Sequence, residues 1–430
     1  MTQPPDSASP FIPHPLRAAV LGEIHARPFQ ALSAPARFSH FGFMTDAAQA
    51  GADRAALGEF CAARGAPRPG PLAKHHRAQI GDVELRWEQH SEFTTYTWQK
   101  RGGGAQPFVP AAPDHARMMR LLPQPGPLLV CADLHFIPAG APFSLEDIFD
   151  PASLAACGAG DGAAVAATDF KPDAEGVVRI LVADKSLTPP RAGALAQRLI
   201  EIETYRILAL LGLPEAQRLA PRIKSVEDSL AAITTAMTGS GGLAADHKLL
   251  DELTQIAARL EADAASANFR FGASRAYDRI VAQRLEAIGE SPHSGLSTLT
   301  SFLSRRMGPA MRTCQMLEER QENLANKLMR AANLLRTRVD VEIEQQNRDL
   351  LGSMNERTRL QLRLQQTVEG LSVAAISYYI VGLAAYLFKG AKDAGYGPDP
   401  AISTALAVPL AILAVAYVVR RIRRKHTGGD

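Results

Sequence analysis

Cysteine is scarce in this chain. Cys61, Cys131, Cys157 and Cys314 are the only four in 430 residues, and no two have the CxxC spacing of a zinc or redox motif. Buried free thiols are therefore expected rather than a disulfide framework. Net charge is small as well: 47 Lys and Arg against 44 Asp and Glu leave +3, too mild for a nucleic-acid footprint, so no nucleic-acid partner is expected. Catalytic motifs are also missing. Gly102-Gly103-Gly104 is not followed by GK[ST], so the triplet reads as a loop and not as a phosphate cradle. No HExxH or HxxxH occurs, and no Ser/His/Asp or Cys/His triad can be argued from spacing. The expectation is a non-enzyme, and no cofactor can be named. The first residues, MTQPPDSASPFIPHP, lack a basic stretch followed by an apolar run and do not read as a signal peptide. Whatever precedes the first membrane segment is then expected to stay in the cytoplasm.

Long uncharged runs are present at the C-terminal end. Leu371 to Phe388 and Ala401 to Val419 contain no Asp, Glu, Lys, Arg or His, and each comes close to the roughly 20 residues that cross a bilayer core. The link between them, KGAKDAGYGPDP, is rich in turn formers. A transmembrane hairpin over 371–419 is predicted. Arg420, Arg421, Arg423, Arg424 and Lys425 follow the second run directly. Basic flanks are retained on the cytoplasmic side, so the tail 420–430 and the large N-terminal part are expected inside and the link outside. The same tail suits contact with anionic lipid.

Upstream lies a long helical pattern. Leu317, Leu324, Leu328, Leu335, Val339, Ile343, Leu350 and Met354 recur at sevens and fours, the spacing of one helical face. One helix from about Ala310 through the first span is predicted, with Gly352 or Gly370 as places to bend. Its apolar stripe needs a partner, either earlier helices of the chain or sister subunits. Three earlier helices fit, over Pro190–Leu213, Pro214–Thr238 and Leu243–Ile288, with Pro221 placed to delay the start of the second. Residues 186–370 therefore read as a helical bundle or coiled-coil stalk, and the protein as a homo-oligomer.

Residues 1–185 alternate short strands with turn clusters. Val83, Leu85 and Trp87 alternate with Glu84, Arg86 and Glu88, which predicts a half-buried strand over Ile80–Glu88. Glu92–Gln99 pairs with it, Ala36–Met44 and Pro127–Ile137 read as further strands, and Ala163–Phe170 with Gly176–Ala183 form a last pair. Helices are expected over Asp46–Ala63 and Ala112–Leu122. The predicted fold class is an α+β cytoplasmic domain followed by long α-helices and a C-terminal two-helix transmembrane hairpin.

Four stretches, HPLRAAVLGEIHARPF, RWEQHSEFTTYTW, RLIEIETYRILALLGLPEA and FLSRRMGPAMRTC, resemble blocks of a bacterial membrane-anchored family, the domain-of-unknown-function family 3422. The resemblance covers nearly the whole chain. It implies an anchored membrane protein, placed here in the bacterial inner membrane, and it transfers no catalytic residues. A looser, architectural similarity is to the CorA-type two-span magnesium channels. Their Gly-Met-Asn signature after the first span is replaced here by Lys389-Gly390-Ala391. Two function classes follow: an anchored oligomeric scaffold or sensor of unknown ligand, or a CorA-like ion channel or transporter without that selectivity signature. In a channel, Ser372, Ala375 and Tyr379 would face the pore.

The polar candidates lie in the N-terminal part. His40, His90, Glu92, Asp133 and His135 would converge on one divalent cation if their strands align; otherwise they are surface or sheet-end residues. Glu23, His25 and Arg27 crowd into EIHARPF. On one reading Arg27 holds a small anion and His25 moves a proton. On the other, Pro28 extends the backbone and the charges orient the segment at an interface.

Overall fold

The computed structural model describes residues 29–104, 106–110, 113–239 and 241–426, with His14, Pro15, Arg17 and Leu21 before them. The chain divides into two compact units. One holds the residues up to Thr234 and Leu253–Arg330; the other holds Thr235–Glu252 and Ala331 onward.

The first unit is built on a nine-stranded sheet with the order β2-β3-β4-β1-β5-β8-β7-β6-β9. The strands are β1 (Ala36–Met44), β2 (His75–Ile80), β3 (Val83–Gln89), β4 (Phe93–Arg101), β5 (Leu128–Pro138), β6 (Ala155–Ala159), β7 (Ala164–Pro172), β8 (Val178–Asp184) and β9 (Ser291–Pro292). Every neighbouring pair is antiparallel except β5–β8. The sheet is thus two antiparallel halves joined along one parallel seam.

The run Ile80–Glu88 is not a single strand. Ile80 pairs with Val83 across a two-residue turn, Gly81-Asp82, and Gly81 takes φ 61°, a conformation only glycine adopts freely. The alternation after the turn holds as expected: Val83, Leu85 and Trp87 are buried. They meet Tyr96, Trp98 and Phe43, and helix α1 (Ala47–Ala62) closes over them with Leu57 and Phe60. Asp46 caps α1 in a reciprocal box with Gln49, which satisfies two of the helix's free N–H groups. The expected helix at Ala112–Leu122 is a 3-10 helix over Asp114–Leu121.

The opposite face is covered by helices. Side chains of α2 (Pro189–Leu210) pack on Phe38, Leu134, Phe136, Ile180 and Val182. Val281, Leu285 and Ile288 of α4 (Leu243–Ile288) join the same core, as do Leu299, Phe302 and Leu303 of α5 (Leu299–Asp393). Fully burying apolar side chains of this size contributes about 1.5–3 kcal/mol each. Gly193 lets α2 lie against the segment that precedes β1: a Cβ there would stand 1.7 Å from the Gln30 carbonyl oxygen.

Two prolines are absorbed rather than obeyed. α3 (Gly212–Gly239) contains Pro221, and α5 starts at Leu299, not Ala310, and runs through Pro309. Each proline removes a hydrogen bond to the carbonyl four residues back. Those carbonyls belong to Gln217 and Arg305, both on exposed positions, where water can replace the bond. Neither Gly352 nor Gly370 interrupts α5.

In the second unit, Asp246 is fully buried and pairs with Arg338 at 3.0 Å, and Leu335 and Val339 are buried beside them. Further along α5, Leu350 and Met354 are 60% and 56% exposed. α6 (Pro400–His426) begins with Pro400 in its first turn, and Asp399 accepts the Ala401 N–H at 2.9 Å. The C-terminal parts of α5 and α6 are long and apolar enough to cross a membrane, with mean hydropathy 1.8 and 2.3. These windows are only 6% and 11% buried within the protein. A core helix of a soluble domain would be mostly covered, so the pair is consistent with membrane association.

Candidate functional site

Strand register separates the residues expected to gather round a metal. Across β1 and β5, Ser39 faces Asp133 and Arg37 faces His135, whereas His40 stands opposite Ala132. Successive side chains alternate between faces, so Asp133 and His135 share the face of Arg37 while His40 points to the helix side. His90 and Glu92 belong to the β3–β4 turn. Among the described residues, no three His, Cys, Asp or Glu side chains come together to hold a metal ion. The expected convergence is therefore corrected: the pleat divides it.

Each of those residues has its own partners. His40 is buried, with Nδ1 2.8 Å from Thr97 Oγ1 and Nε2 3.0 Å from Thr204 Oγ1. The Thr204 hydroxyl donates to the Ile200 carbonyl at 2.8 Å, so it must accept from His40. That assigns the proton to Nε2 and makes Nδ1 the acceptor from Thr97. Burial, with the charges of Arg86 and His90, holds the His40 pKa down at about 3. Asp133 receives Arg37 in a buried bidentate pair, and Arg37 also donates to the Pro110 carbonyl at 2.6 Å. His135 accepts the Phe108 N–H on Nδ1 at 2.9 Å, and burial followed by the Arg37 charge lowers its pKa to about 4. Glu92 accepts from Arg270 at 2.6 and 3.2 Å and from the Tyr277 hydroxyl at 2.7 Å, binding the turn to α4. His90 stacks on Phe93 at 4.1 Å. Glu23, His25 and Arg27 lie outside the described residues.

The arrangement best suited to a small molecule was not evident from the sequence. It is a cavity of about 430 Å³ where the end of β7 meets α2 and the start of α5. At its wall Phe170 and Phe302 stack with centroids 5.2 Å apart. Arg206 lies 4.9 Å over the Phe170 ring and Arg306 4.7 Å over the Phe302 ring, so each ring of the stacked pair carries its own cation. Arg206 is fixed from behind by Glu203, which is wholly buried and accepts two hydrogen bonds at 2.6 Å. Phe170 has φ 55° at an irregularity of the β7–β8 register between Thr168 and Pro172. A bulky side chain in the left-handed region costs about 1–3 kcal/mol, so the surrounding packing must hold it there. The only sequence signals were an aromatic at the end of a strand and a pair of arginines after Phe302.

In the C-terminal helix pair, Val373, Ser377 and Val381 of α5 line a common cavity with Val408 and Ile412 of α6. Ser377 is 4% exposed. Ser372, Ala375 and Tyr379, the residues assigned to a pore, all stand on exposed positions away from this contact. Arg420 and Arg421 are exposed at the end of α6. Arg423, Arg424 and Lys425 continue that helix.

A family model described as a protein of unknown function matches residues 12–426. The chain belongs to the DUF3422 family. No curated protein and no solved structure matches this DUF3422 chain, and a similarity to the CorA-type channels is not shown. Both helices that wall the cavity, α2 and α5, carry stretches on which the family resemblance rests. The family description assigns no activity.

Proposed function

We propose that this DUF3422 protein is a membrane-anchored, homo-oligomeric scaffold or sensor rather than an enzyme. The α5–α6 hairpin holds it in the bacterial inner membrane, with both termini and the sheet unit in the cytoplasm. The observation that carries the oligomer is the fate of the α5 stripe. Leu335 and Val339 are covered at 0% and 4% exposure, but Leu350 and Met354 on the same face are 60% and 56% exposed. A second copy of α5 is the natural cover for a stripe that continues in register. The orientation is supported by the five basic residues after the second span.

Two measurements test this reading. Light scattering of the purified full chain gives the number of copies, and Leu350→Cys or Met354→Cys should crosslink between copies under mild oxidation. A monomer without crosslinks would remove the oligomer. Reporter fusions after Gly397 and at the C-terminus should report opposite sides of the membrane. Ion flux in proteoliposomes, carried by the uncovered Ser372–Ala375–Tyr379 face, would replace the scaffold reading with a channel.

A further inference from the structure

The cavity beside Phe170 has two unlike halves. Leu210, Leu303 and Met307 give it an apolar floor, and charged side chains form its rim. The rim charges are not equally free. Asp169 accepts the backbone N–H groups of Asp150 and Lys171 at 3.0 and 3.1 Å, and Asp150 accepts from Lys171 Nζ at 3.0 Å and from the Ala152 N–H at 3.0 Å. The acids are thus spent on folding the rim. Arg206 is occupied by Glu203. Arg306 differs: it lies against Phe302 and makes no hydrogen bond or ion pair with any described residue.

We propose that this cavity binds a small amphiphilic anion, a carboxylate or phosphate monoester carried on an apolar body. Arg306 takes the anionic head through its planar fork of N–H donors, and the floor takes the body. A cationic ligand is disfavoured because each ring of the Phe170–Phe302 pair already carries an arginine. A bare inorganic anion would leave the floor uncovered. The volume lies within the range of small-molecule sites, roughly 300–1,000 Å³. The strained Phe170 backbone, at φ 55°, is of the kind that gathers at ligand clamps. This inference rests on the reading of the sheet unit as a sensor and gives its ligand a chemical class.

The test is calorimetric titration of the full-length protein in zwitterionic nanodiscs with phenyl phosphate. Inorganic phosphate and phenol serve as the head alone and the body alone. Saturation at one site per chain is expected, with the two fragments each at least about tenfold weaker. Arg306→Gln should weaken phenyl phosphate by at least about tenfold, as loss of a charged hydrogen-bonding partner does. Arg306→Lys, which keeps the charge without the fork, should fall between. Arg306 is exposed, so the fold should survive both changes. Competition by phosphatidic acid placed in the discs would assign the head to a lipid, and its absence to a soluble ligand; the chemistry stands in either case. No saturable binding of phenyl phosphate, or equal binding by Arg306→Gln, would overturn the proposal. Failure here with an intact, correctly oriented oligomer would sink only the ligand chemistry. Probe binding by a chain that proves monomeric would do the reverse.

Discussion

Mild acid should loosen the sheet unit through two histidines. His40 and His135 are 3% and 2% exposed, and their folded pKa values are held at about 3 and about 4. In the unfolded chain both return to about 6.5. Between those values the native state binds fewer protons than the unfolded state. Their contribution is therefore complete above pH 6.5 and is lost as pH falls towards the folded values. Each histidine removes about 1.4 kcal/mol per pH unit in that window. From pH 6.5, where the unfolded histidines are already half protonated, to pH 5 the two together remove about 3 kcal/mol, a large part of the ~5–15 kcal/mol that stabilises an ordinary domain. The assay is urea unfolding at a series of pH values, followed by tryptophan fluorescence. Both tryptophans of the sequence, Trp87 and Trp98, are fully buried in this unit, so the signal reports its unfolding. His40→Gln keeps a donor and an acceptor but cannot titrate, and should flatten the pH dependence by about 2 kcal/mol over the same window. His135→Gln should do the same. The slope is the readout, so a lower absolute stability of either variant does not obscure it. Variants that lose stability in parallel with the wild-type protein would refute the reasoning.

Three further outcomes are expected from chemical denaturation of single variants. Asp53→Ala leaves the buried Trp87 indole N–H and Tyr96 hydroxyl without the carboxylate they reach at 2.8 and 2.6 Å; two orphaned donors cost roughly 2–6 kcal/mol, and Asp53→Asn, which keeps one acceptor, should cost less. Gly193→Ala drives a Cβ into the Gln30 carbonyl and should destabilise by at least about 2 kcal/mol, whereas Gly51→Ala in α1, with nothing within 4 Å, should stabilise by roughly 0.5–1 kcal/mol. Glu92→Ala strips Arg270 and Tyr277 of their shared acceptor and should cost about 2–3 kcal/mol, below the value for a fully buried pair because Arg270 is 21% exposed.

What the sequence made legible was whatever one segment decides by itself. The Val83–Leu85–Trp87 alternation, the uncharged C-terminal runs and the limits of α4 could all be read directly, because period and charge are local properties. What escaped depends on neighbours. β6 is AACGA, with little intrinsic strand preference; it is a strand because small residues let Leu299 and the α2 side chains pack against it. The long helix was expected from about Ala310, just after Pro309, yet Pro309 stands on an exposed position of α5, so the helix starts eleven residues earlier, at Leu299. The metal prediction failed on parity: His40 and Asp133 are both buried strand residues, but register puts them on opposite faces. The cavity was out of reach for a different reason. Phe170 and Phe302 stack only after β7 and α5 are placed, and nothing in either segment records the other.

The single parallel seam also bears on how the protein must be made. β5 cannot find β8 until the β6–β7 hairpin between them has been synthesised. The ribosome therefore presents a finished antiparallel half with the β5 edge open while the 46 residues that follow Pro138, through Asp184, emerge. At about 5–20 residues per second that interval lasts roughly 2–9 s. Throughout it an eleven-residue strand rich in Leu, Val and Phe offers unpaired backbone to any other nascent chain. On a polysome the nearest candidates are copies of the same protein, so synthesis has an aggregation-sensitive interval that ends only when β8 arrives.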